Sequence, residues 1–234
     1  MKNNLLLEMI FPRRCTICDK VLMLGQRKIC TECKERIQYL GENTCLKCGK
    51  QVKEEEDYCY DCRVKEHYFR QGAALFPYEY IRTSLYRFKY GGRQEYAEFY
   101  GRQMAVQMEE KRKLWKPQAL IPVPLNKKKM KKRGYNQAEL IARELSSCWN
   151  IPVVTDLVVR SKNTKPMKGI AGTERQNNLK KAFKLGANDV KLNTIIIVDD
   201  IYTTGSTIDA VAKVCLEAGI SNIFFVTVSI GYGM

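Results

Sequence analysis

The chain has 234 residues, 45% of them hydrophobic, with 40 Lys and Arg against 25 Asp and Glu, for a formal charge of +15. That is room for one ordinary domain and a small module, not a multidomain machine, and the composition is too apolar for a disordered polymer. The positive excess favours a polyanionic partner such as nucleic acid, a phosphorylated ligand or anionic lipid, and no stretch nears the ~18 apolar residues of a membrane span.

At the N-terminus, Leu5-Leu6-Leu7 is cut by Glu8 with no small-residue cleavage site after it, so it does not read as a signal peptide. Ten cysteines without export point to a reducing compartment, where paired cysteines hold metal more often than they form disulfides. Eight of them form four C-x-x-C pairs: Cys15/Cys18, Cys30/Cys33, Cys45/Cys48 and Cys59/Cys62. The spacing is that of one zinc-ribbon unit duplicated, since two residues between thiolates make a knuckle and two knuckles make a tetrahedral S4 site. One Zn²⁺ is assigned to Cys15, Cys18, Cys30 and Cys33, the other to Cys45, Cys48, Cys59 and Cys62, although an interleaved pairing fits the same spacing. Thioredoxin-like redox motifs come singly and do not explain four pairs. Four-thiolate sites have no open position, so both ions are structural, each supplying on the order of 10 kcal/mol to a segment too poor in apolar residues to fold alone. Residues 1–68 are therefore taken as a double zinc ribbon with its own source of stability, and 69–234 as a second domain. His67, the only histidine, reads as a linker residue.

From residue 72 strands alternate with helices. Residues 72–79 read as a strand, 81–90 and 96–111 as amphipathic helices, 119–123 as a strand, 136–148 as a helix, 157–160 as extended and 173–182 as a helix. Residues 194–198 follow as a buried strand, 206–218 as a helix closed by Gly219, and 222–230 as the last strand. Such alternation gives an α/β fold with a mostly parallel, Rossmann-like sheet covered on both faces. Cys148 and Cys215 fall in predicted helices as buried packing groups.

The strongest chemical signal is Asp199-Asp200-Ile201-Tyr202-Thr203-Thr204-Gly205-Ser206-Thr207 after the buried strand. Ligands of parallel sheets bind beyond the carboxyl ends of strands. A loop from Thr203 to Thr207 that opens a helix aims amides and the helix dipole at a phosphate, while two carboxylates accept from vicinal hydroxyls. Together they describe a ribose 5-phosphate site. Residues 195–207 resemble the 5-phosphoribosyl 1-pyrophosphate (PRPP) signature of type I phosphoribosyltransferases.

Ile121-Pro122-Val123-Pro124-Leu125, Arg133-Gly134-Tyr135-Asn136-Gln137, Thr164-Lys165-Pro166-Met167 and Glu174-Arg175-Gln176-Asn177-Asn178-Leu179 extend the likeness. With them the chain resembles the ComF family of late competence proteins, which join a zinc module to a phosphoribosyltransferase-like domain. The resemblance implies a cytoplasmic part in natural transformation, handling imported single-stranded DNA beside a translocation ATPase and a recombination mediator, without membrane insertion. It equally admits an active phosphoribosyltransferase using PRPP with Mg²⁺ on an acceptor the sequence does not reveal. No catalytic residue is assigned.

Residues 71–234 hold 26 basic and 14 acidic side chains, so most of the excess lies there. Lys127, Lys128, Lys129, Lys131, Lys132 and Arg133 crowd into a predicted loop. Arg133 is the candidate for a bidentate pyrophosphate contact. The lysines, with Lys162, Lys165, Lys168 and Arg175, are candidates for a nucleic-acid backbone. Among the tyrosines, Tyr135 and Tyr202 are placed inside the suspected site.

Overall fold

A computed structural model describes residues 12–23, 25–26, 28–160, 182–186 and 191–231. Each ribbon carries a one-turn helix directly after a cysteine, α1 (Thr31–Glu35) behind Cys30 and α2 (Tyr60–Val64) behind Cys59. The rest of the chain runs β1 (Gln71–Pro77), α3 (Tyr78–Tyr90), α4 (Tyr96–Gln107), α5 (Glu109–Trp115), β2 (Ala119–Pro122), α6 (Lys127–Arg133) and α7 (Gln137–Trp149). It continues with β3 (Val158–Arg160), β4 (Phe183–Leu185), β5 (Thr194–Tyr202), α8 (Ser206–Glu217) and β6 (Asn222–Ile230). The main sheet has the order β1-β6-β5-β2 with every pair parallel, and β3 and β4 form a separate antiparallel pair.

Both faces of the sheet are covered, and the period-two alternation of β5 shows how. Ile195 and Ile197 face one core with Phe225, Ile208, Val211 and Cys215 of α8, and with the β3-β4 pair. Ile196 and Val198 face the other, built from α3, α4 and α7. A strand buried on both sides is a continuous apolar run, which is why 195–198 reads so plainly.

The two ribbons lie on opposite faces. Ile17, Ile29 and Ile37 pack with α3 and α4, whereas Cys45, Cys48 and Cys59 are part of the α8 core. Between them the chain follows the outer edge of β1: Leu40 N donates to Leu75 O (3.1 Å) and Gly72 N to Lys47 O (2.8 Å). Gly49 makes this approach possible, since its φ is +78° and a Cβ there would stand 3.0 Å from Gly72 O. The second ribbon therefore shares its core with the larger domain, against the expectation of separate stability.

Several elements depart from the sequence reading. The helix expected over 96–111 breaks at Met108. The new direction lets Trp115 stack on Phe224 (4.6 Å) and donate to Gln71 Oε1 (3.0 Å). The basic run is a helix, not a loop. Asn126 caps it by accepting from Lys128 N (2.8 Å), Gly134 closes it at φ +80°, and lysine tolerates helix well. Strand β5 extends to Tyr202, so Asp199 sits within the ladder opposite Thr227. Apart from Ala182, the helix expected over 173–182 lies outside the described residues, and β4 follows at once. Cys215 is fully buried and its thiol is pushed up to about 12, but Cys148 is exposed rather than packed.

Candidate functional site

Beyond β5 the chain turns through Thr203, Thr204 and Gly205 into α8. Gly205 has φ +73°, and a Cβ there would fall 2.5 Å from Tyr202 Oη, so only glycine fits. Thr203 and Thr204 are exposed, Ser206 and Thr207 half-buried, and the Thr204 and Ser206 hydroxyls lie 2.9 Å apart. The amides of the first turn of a 12-residue helix thus stand beside four hydroxyls, the donor set of a phosphate cradle.

The two aspartates have different surroundings. Asp200 pairs with Lys89 Nζ at 2.9 Å, both side chains largely buried. Asp199 accepts from the Asp200 amide (2.8 Å); burial first, and the Asp200 charge second, raise its carboxyl to about 7.

A group of cations adjoins them. Arg133 donates to Gln137 Oε1 (2.8 Å) and Tyr90 Oη (3.0 Å), with its guanidinium 4.8 Å from the Tyr90 ring centre. Arg160 lies over Phe183 (5.1 Å); burial lowers its pKa and Asp199 acts against that. Lys129 is lowered by desolvation and by Arg133 and Arg160 nearby. Among the described residues, Arg133 Nε, Arg160 Nε and Gln137 Nε2 are buried donors without a partner. Unpaired buried donors cost ~1–3 kcal/mol each, so this concentration suits an anion. Lys89 carried no signal in the sequence, being an ordinary last-turn helix lysine, and Arg160 read only as the first residue of a basic segment running to Lys184.

Lys127, Lys128, Lys131 and Lys132 are exposed on α6. Lys162, Lys165, Lys168 and Arg175 lie outside the described residues. Neither tyrosine placed in the site is available there. Tyr135 is buried and donates to Phe88 O, and Tyr202 lies beneath Gly205, stacked on Phe225 (4.7 Å). His67 is not a linker residue: its side chain is enclosed, stacked on Phe69 (4.7 Å), with Nδ1 3.0 Å from Asp209 Oδ2 in the first turn of α8. Lys65 Nζ also reaches Asp209 Oδ2 (2.5 Å) and Thr204 O (3.4 Å), and Tyr68 N reaches Asp209 Oδ1 (3.3 Å). Three residues just past the second ribbon thus brace the phosphate loop.

The cysteines converge as two quartets, Cys15, Cys18, Cys30, Cys33 and Cys45, Cys48, Cys59, Cys62, each with its sulfurs within 4.8 Å of one another. The interleaved pairing is thereby excluded. A Zn–S length of ~2.3 Å implies tetrahedral S···S edges of ~3.8 Å. Cys18 and Cys30 are 3.8 Å apart and Cys48 and Cys59 3.6 Å, so both quartets fit zinc. When bound, the ion neutralises thiolate charge and cross-links each ribbon.

Residues 6–63 match the double zinc ribbon domain family and residues 130–229 the phosphoribosyl transferase domain family. Competence protein F of Haemophilus influenzae is 29% identical over 219 residues, covering 91% of this chain and 95% of its own length. Competence protein ComFC of Bacillus subtilis is 27% identical over 225 residues, 88% of this chain and 89% of that one. Over about nine-tenths of its length the chain is thus similar to competence proteins of the ComF type. DNA utilization protein YhgH of Escherichia coli is similar at 27% over 212 residues, 89% of this chain and 92% of that protein. The phosphoribosyl transferase match begins inside α6, so it omits β1, although β1 pairs in the same sheet. Among the described residues no helix is long and apolar enough to cross a membrane.

Proposed function

We propose that this protein binds PRPP with Mg²⁺ at the end of β5 and handles imported single-stranded DNA on the adjoining basic surface, as a cytoplasmic factor in natural transformation. The observation that carries the reading is the group of unpartnered buried donors, Arg133 Nε, Arg160 Nε and Gln137 Nε2, in the basic cluster that adjoins Asp199 and Asp200. In this reading the Thr203 to Thr207 loop takes the 5-phosphate, the two carboxylates accept from the ribose hydroxyls, and Arg133 with Arg160 faces the pyrophosphate. The DNA part rests on the charge of 71–234, the exposed lysines of α6, and relatives whose names speak of competence and DNA utilization. A translocation ATPase and a recombination mediator are its proposed partners.

Titration calorimetry with PRPP tests the pocket. Wild type should bind in a Mg²⁺-dependent way, and Asp200→Ala should bind about ten- to a hundredfold more weakly through loss of charge-assisted hydrogen bonds. Equal affinity in the variant would place the ribose elsewhere. A second reading, an active phosphoribosyltransferase, draws on the same basic cluster, which suits a departing pyrophosphate. There a nitrogen acceptor would bond to C1 as the C1–O bond to pyrophosphate breaks, and pyrophosphate release across an acceptor screen is its test.

A further inference from the structure

We infer that Tyr86 and Tyr90 on α3 form a stacking platform for the bases of single-stranded DNA, with α6 gripping the phosphates alongside. The inference deepens the DNA reading above and rests on it. Both rings are open to solvent, Tyr86 at 65% and Tyr90 at 49% exposure, while Tyr78 and Tyr80 of the same helix are half-buried and Tyr96, Tyr100, Tyr135 and Tyr202 are buried. Four residues apart, the pair lies on one side of the helix about 6 Å apart along its axis. The ring centres are 5.1 Å apart and tilted by 48°.

The setting of Tyr90 argues for a polyanion with flat, apolar parts. Arg133 donates to its hydroxyl, and Lys132 Nζ stands 5.6 Å from its ring centre. One aromatic surface therefore meets the end of a helix with six cations in seven residues and no acid. Arg82, one turn before Tyr86, adds a further cation, partnered at 3.6 Å by Glu79. An acidic peptide would satisfy the cations without needing two exposed rings, and duplex DNA would keep its base faces stacked inside. Single-stranded DNA supplies both regular phosphates and free base faces. At its inner end the track meets the PRPP cleft, because Lys89, next to Tyr90, is the residue paired with Asp200.

The test is anisotropy with two probes, an oligothymidine strand and an abasic strand of equal length, against wild type and Tyr86→Ala. Tyr86 makes no hydrogen bond among those described and is exposed, so the variant should fold. Stacking on one ring predicts a loss of about five- to a hundredfold for oligothymidine. The abasic strand should bind the two proteins alike, the salt slope should stay as in wild type, and Tyr86→Trp should restore binding. Unchanged oligothymidine binding by Tyr86→Ala would overturn the platform. So would equal wild-type affinity for the two probes, which would leave a simple polyanion site on α6 with the DNA reading intact. Wild type that binds neither strand would instead remove the DNA reading itself.

Discussion

Asp209 ties the second ribbon to the phosphate loop, and removing its carboxylate measures that tie. In Asp209→Ala, His67 Nδ1 and Tyr68 N lose their acceptor, and Lys65 Nζ keeps only Thr204 O. The Lys65 side chain is 33% exposed and can turn to water, so its contribution is small. The His67 side chain is 1% exposed and cannot, and a buried donor left unpaired costs ~1–3 kcal/mol. The Tyr68 amide and the lost favourable charge in the first turn of α8 bring the expected loss to about 2–4 kcal/mol. Urea unfolding followed by tryptophan fluorescence reads that loss, and a PRPP titration under native conditions should show weaker binding because Lys65, which holds Thr204 O, loses its carboxylate anchor. Asp209→Asn, which keeps an acceptor but not the charge, should fall between. A double-mutant cycle with His67→Ala should show coupling above ~0.5 kcal/mol. Stability unchanged within that margin, or strict additivity, would show ribbon and loop to be energetically independent and refute the brace.

Metal analysis should find two zinc ions per chain, and Cys45→Ser should lower the stability of the whole molecule, since Cys45 lies in the core that also holds α8; a ribbon that melts alone would contradict this. Asp199, with a folded pKa of about 7 against an ordinary 3.8, keeps a proton that the unfolded chain has already lost. Stability should therefore fall, by up to ~4 kcal/mol, as pH rises from about 4 to 7, and Asp199→Asn should flatten that slope in a series of denaturant midpoints. If each of the exposed Lys127, Lys128 and Lys131 meets a phosphate, their joint replacement by alanine should reduce the log-log salt slope of single-stranded DNA binding by about 2. PRPP affinity should survive in that variant; its loss with DNA binding retained would assign the lysines to pyrophosphate and favour the enzyme reading.

What could be read in the sequence was whatever is local. The cysteine knuckles and the run from Ile195 to Thr207 hold their ligand atoms within a few residues, so spacing alone states the geometry. The basic cluster is not local: Lys89, Arg133 and Arg160 come from α3, α6 and β3, far apart in the chain, and meet only once it is folded. The same limit explains the tyrosines. Proximity to a motif suggested Tyr135 and Tyr202, but a residue two places from a strand's carboxylates points into the core as readily as out, while Tyr86 and Tyr90 gain meaning only from the helix packed beside them. A lone histidine after the last ribbon cysteine gave no sign that Asp209, 142 residues on, would enclose it.

The double ribbon crosses the rim of the sheet from one face to the other, and at the crossing Leu40 and Lys47 take hydrogen-bonding groups of β1 that no other strand reaches. An outer strand with free amides and carbonyls is a template on which a second copy can add. The metal modules are therefore a guard on self-association as well as an anchor for the loop. Zinc starvation would uncap a parallel sheet whose outermost strand is QGAALFP, with five charge-free apolar or small residues at its centre. Loss of solubility would then accompany loss of the phosphate site, because the second ribbon shares its core with α8. A cell short of zinc would find this protein in aggregates rather than in an idle, metal-free pool.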